Sequence, residues 1–153
     1  MPLTTADVAY AAALIDNLAA LRSREVSGSV LPVVQVSGRY GSLAWLGEIT
    51  GTKVIETGRQ YTKHNCTTHC PDRHADITSR SYRWTLTGIR AAIVLANCAP
   101  HMRVQAATAR RLVDAGLAVS YQGQVVNDMH ARGWEIPDLT PHPRARVPLA
   151  LAR

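Results

Sequence analysis

The sequence predicts an α+β domain whose sheet keeps one exposed polar face. Three observations carry this. Helical-period apolar segments recur near residues 6–22, 42–50, 89–99 and 103–117, and alternating segments at 53–63 and 81–87 lie among them. Each alternating segment carries one polar side. With 153 residues, 46% of them hydrophobic and 18% charged, the chain suits one core and one principal domain.

The first helix, residues 6–22, has Thr4 or Thr5 as N-cap and Asp7 in its first turn. Val8, Ala12, Ile15 and Ala19 fall on one face. Six alanines, Ala9, Ala11, Ala12, Ala13, Ala19 and Ala20, make that helix fit for close approach by another. Ser27 and Gly28 break the pattern. Residues 30–37 then read as a strand rich in β-branched side chains, late-starting or at an edge because Pro32 disfavours a central position. A short helix follows at 42–50, ended by Gly51.

Along 53–63, one face is expected to carry Lys53, Ile55, Thr57, Arg59, Tyr61 and Lys63. Along 81–87, Tyr82, Trp84 and Leu86 are expected on the core side, with Ser81, Arg83, Thr85 and Thr87 opposite. Thr87 can cap a helix at 89–99, which Pro100 stops, and the last helix spans 103–117. Residues 120–153 read as a C-terminal extension that becomes a basic arm where prolines crowd residues 141–148.

The formal net charge of +6 suits a polyanionic partner. Its distribution says more. Between Gly58 and Arg111 stand nine basic residues against two acids, Asp72 and Asp76. No apolar run approaches the roughly 20 residues that cross a bilayer. No membrane partner is expected, and the expected location is cytoplasmic. Three cysteines are too few and odd in number for a disulfide scaffold.

Two stretches resemble the LAGLIDADG homing-endonuclease family. Residues 11–19, AAALIDNLA, lie where that family has its signature and share its Leu14-Ile15-Asp16 centre. Residues 82–88, YRWTLTG, with 91–95, AAIVL, and 100–103, PHMR, are similar to its final strand, the helix after it and the turn into the last helix. Residues 33–36 and 43–51 extend the resemblance to most of 8–117. It implies an αββαββ domain over residues 1–119 with trailing helices and a saddle-shaped antiparallel sheet set in the DNA major groove. It also implies a homodimer joined through the signature helices, here through Ala9, Ala12, Ala13, Asp16, Ala19 and Ala20. One departure concerns the sheet: residues 20–29 leave little room for the family's first base-reading strand, which is expected to be short or missing.

The chemistry departs as well. The signature helix of the family ends in an acid that holds divalent metal, and Leu18 stands there. Asp16 points roughly 200° away around the helix. The family's basic residue near the start of the last helix corresponds to Gln105. No catalytic residue is therefore assigned, and recognition of double-stranded DNA without cleavage is the leading expectation. The alternatives are a Mg²⁺-dependent endonuclease, with Asp16 and Asn17 in a shifted metal site, and a zinc-stabilised interaction module without nucleic acid.

For DNA contact the saddle face offers Arg59, Tyr61, Lys63, Arg83 and Thr85, with Arg80 and Arg103 on the flanks for phosphates. Separately, the loop from His64 to His74 holds three histidines and two cysteines. Cys66, His69, Cys70 and His74 could supply a tetrahedral structural zinc, and a plain polar loop is the competing reading.

Overall fold

The computed structural model describes residues 2–63, 75–117 and 123–138. In chain order these form α1 (Thr5–Leu18), β1 (Ala19–Val26), β2 (Ser29–Gly38), α2 (Tyr40–Thr50), β3 (Ile55–Lys63), β4 (Ala75–Thr87), α3 (Gly88–Cys98), a 3₁₀ turn (Ala99–His101), α4 (Ala106–Leu117) and α5 (Gly123–Ala131). The four strands make one antiparallel sheet in the order β1-β2-β4-β3. Among the described residues no helix is long and apolar enough to cross a membrane.

The capping choice at α1 falls on Thr4. Its hydroxyl accepts from Asp7 N at 3.1 Å while Asp7 Oδ2 accepts from Thr4 N at 2.8 Å, a reciprocal box that satisfies two otherwise orphaned amides. These bonds hold the Asp7 carboxyl below its ordinary pKa. The helix stops four residues earlier than its composition suggests. Ala19 is already extended, and residues 19–26 pair fully with β2. A full strand therefore stands where a short or missing one was expected. Ser27 and Gly28 both take positive φ, 50° and 78°, the geometry of a two-residue hairpin turn whose twist matches the strands.

The strand that holds Pro32 neither starts late nor lies at an edge, beginning at Ser29 between β1 and β4. β2 is a central strand, but its pairing with β4 covers only Val33 to Gly38, so Pro32 has a neighbour on the β1 side alone. The missing amide thus costs no ladder bond to β4.

Among the described residues, α1, α2, α3 and α4 pack against one side of the sheet, and α5 packs on α3. That side presents Val34, Val36, Trp84 and Leu86, each at most 1% exposed, and they pack with Ile15, Leu43, Leu46, Ile93 and Leu95. The Trp84 indole N–H is satisfied by the Thr52 hydroxyl at 2.9 Å and the Thr50 hydroxyl at 3.2 Å. This is how a buried polar atom is tolerated beside an apolar core. Cys98 is sealed in the same core, and burial pushes its thiol up to about 12.

The core continues past α4. Val126, Met129 and Trp134 belong to the same cluster as Trp84, although they lie in the segment read as an extension. Polar ties fix this segment. Trp134 Nε1 donates to Ile49 O at 2.7 Å, Arg90 Nη1 to Asp128 at 2.7 Å and Arg132 Nη1 to Glu48 O at 2.7 Å, while Asn97 holds both the N–H and the carbonyl of Glu135. Arg90 first and Arg132 second hold the Asp128 carboxyl below its usual value.

Candidate nucleic-acid interface

Register decides which side chains share the open face of the sheet, because residues paired across antiparallel strands point the same way. Val34 pairs Leu21 and Leu86, and Val36 pairs Ala19 and Trp84, which defines the covered side. The opposite side then carries Ala20, Arg22 and Arg24 from β1, Leu31, Val33, Gln35 and Ser37 from β2, Ser81, Arg83, Thr85 and Thr87 from β4, and Ile55 from β3.

Arg22, Arg24 and Arg83 are exposed there, and no carboxylate shares this face among the residues whose side chains are described. Three guanidiniums without a counter-charge on a pleated, solvent-facing surface form a local positive field. Arg22 Nη2 donates to Gln35 Oε1 across the hairpin, so one of the three has a fixed direction.

Arg83 and Thr85 stand where the alternation in β4 puts them. Arg59 does not. A register shift between Glu56 and Gly58 places an extra residue, Thr57, in β3, after which Arg59 pairs with Arg80 rather than sharing a side with Arg83. Strict period-two counting cannot survive a bulge. Arg59 instead engages the Glu56 carboxylate, which is held below its ordinary pKa mainly by that contact. Arg80 lies on this same opposite side, exposed. Tyr61 and Lys63 occupy strand positions in β3 opposite Ile77 and Ala75, but their side chains lie outside the described residues. So do all of Cys66, His69, Cys70 and His74.

The sequence reading misses Arg22 and Arg24 because it carries the first helix to Arg22 and expects at most a short strand after it. The overlooked signal was a two-residue Ser-Gly turn flanked by two segments that can alternate.

A second polar site joins α1 to α4. Asp16, 8% exposed, accepts three backbone amides: Arg103 N at 2.8 Å and Val104 N at 3.1 Å on Oδ2, and Gln105 N at 2.7 Å on Oδ1. The Arg103 amide is the chief cause of its lowered pKa. In return Gln105 Nε2 donates to the carbonyls of Asp16 and Ala19, both at 3.0 Å, capping the end of α1. Asp16 and Gln105 thus form a reciprocal clamp, with both carboxylate oxygens engaged. Asn17 Nδ2 is bonded to Ala13 O.

The clamp changes the reading of the small-residue face of α1. Ala12 is fully buried within its own subunit and Asp16 is spent on α4, so neither faces outward. Ala13 and Ala20 are exposed and Ala9 and Ala19 half-buried. The outward side of α1 also holds Tyr10, 51% exposed and tilted against Trp45 at 5.0 Å, while Leu18 at its end is 57% exposed. Arg103 is exposed beside the clamp.

Compared with known proteins, the sequence matches no family model, and no curated protein is similar to it.

Proposed function

We propose that this protein binds double-stranded DNA as a homodimer of LAGLIDADG-like subunits and does not cleave it. The observation that carries the reading is the open sheet face with Arg22, Arg24 and Arg83 and no carboxylate among its described side chains. The element order αββαββ and the strand order β1-β2-β4-β3 support it, since they leave a sheet uncovered on one side for a groove. The outward side of α1, with Ala9, Ala13, Tyr10 and Leu18, is the surface proposed to meet a second copy.

Loss of cleavage follows from the clamp. The Leu18 side chain carries no oxygen, and both carboxylate oxygens of Asp16 already accept the amides before α4, so neither side chain is free to supply the carboxylate ligand that a divalent cation needs. Structural duty has taken over the acid that the alternative endonuclease reading would require.

The test is binding to duplex DNA across a salt series. Phosphate neutralisation gives a slope of about 0.9 per contact, so three arginines in each of two subunits predict a log–log slope near −5. Arg22→Gln with Arg83→Gln should lower its magnitude by about 3.5 in the dimer. No binding even at low salt would refute the reading and favour an interaction module. A nicked or linearised plasmid in Mg²⁺ would instead restore the endonuclease.

A further inference from the structure

One residue on the open face is out of character. Val33 points to the solvent side of the sheet, yet it is only 4% exposed. Its cross-strand partners explain this. Arg22 pairs with it from β1 and Thr87 from β4, and a shallow groove lined by Arg22, Ser23, Arg24, Val33, Thr85 and Thr87 runs over it. Arg22 reaches toward Gln35 and so leans along the strand beside Val33. The result is a groove with a valine floor, Thr85 and Thr87 on its β4 side and Arg22 and Arg24 on its β1 side.

We infer that this groove is a subsite for the C5-methyl group of a pyrimidine in the major groove, with Val33 as floor and Thr85 and Thr87 as wall. The inference rests on the DNA-binding reading above. The chemistry is specific: in the major groove thymine alone among the four ordinary bases presents a methyl, and apolar or threonine side chains are what meet it. The two arginines flanking the floor fit the same edge, since phosphates lie to either side and a guanidinium can pair with O6 and N7 of an adjacent guanine. Gln35, with its carbonyl taken by Arg22, is left to present its amide N–H groups, which suits an acceptor such as thymine O4. A purely electrostatic surface would gain nothing from a valine here.

The probe is a duplex selected from a randomised library, then resynthesised with deoxyuridine in place of thymidine one position at a time. Loss of one buried methyl predicts about fourfold weaker binding at the position that meets Val33. Val33→Ala should abolish that difference while leaving the salt slope unchanged. A cytosine replaced by 5-methylcytosine at the same position separates the two sources of the methyl: a gain with both bases assigns the methyl itself, and a gain confined to thymine assigns thymine. Equal affinity for the thymidine and deoxyuridine duplexes at every position overturns the inference while the DNA-binding reading stands. Absence of binding to any pool at low salt overturns both, and the wild-type comparison needs no folded variant.

Discussion

Replacing Trp134 by alanine tests whether the segment after α4 is part of the core or an appendage. The side chain is 1% exposed, its indole N–H bonds to Ile49 O at 2.7 Å, and its backbone amide bonds to Met129 O at 3.1 Å. Truncation removes the largest side chain of the segment and leaves the Ile49 carbonyl without its partner. Core tryptophan-to-alanine changes cost roughly 3–5 kcal/mol. For a chain of this size each kcal/mol lowers the Tm by about 2–4 °C, so a fall on the order of 10 °C is expected. Thermal unfolding followed by circular dichroism measures it. Trp134→Phe should fall between, because it keeps most of the apolar volume and loses only the N–H. A shift below about 3 °C for the alanine variant, on the same scale, would refute the placement of this residue in the core.

Two further outcomes follow from the packing. Gly116→Ala normally helps a helix by up to about 1 kcal/mol, but here the new Cβ would lie 2.6 Å from Ala92 Cβ and 2.7 Å from Pro32 Cγ, so the variant should lose about 1–3 kcal/mol in chemical denaturation. Folding lowers the Asp16 pKa, so the unfolded chain binds the proton more readily, and the stability this contributes is complete above the ordinary value of 3.8 and lost as pH falls from there through the lower folded value. Asp16→Asn should therefore melt lower than wild type at neutral pH and show a shallower loss of stability on acidification, read from Tm against pH.

The elements that local pattern made legible are those where burial and periodicity agree. In β4, Trp84 and Leu86 are buried and Arg83 and Thr87 exposed, as alternation requires, and α2 ends at Gly51, where φ is 71°. β1 was hidden because Leu21, Arg22 and Arg24 suit a helix as well as a strand. Only pairing with β2 and the capping of α1 by Gln105, 86 residues away in sequence from Ala19, decide between them. Trp134 was hidden for a related reason: its indole partner, the Ile49 carbonyl, and Asn97, which holds the next residue Glu135, are distant in sequence, and the prolines after it suggest an arm. For the site, Arg83 and Thr85 were legible. Arg22 and Arg24 were not, and Arg59 was placed on the wrong side because a bulge leaves no compositional trace.

That single inserted residue also makes the character of the surface adjustable. If β3 ran straight, with Thr57 rather than Gly58 opposite Ser81, Arg59 would cross to the side of Arg83 and part from Glu56. A one-residue change of register, with no change in the inventory of charged groups, would thus add a cation to the exposed side and release an acid on the other. A bulge therefore sets which charges a strand presents on each side independently of its composition.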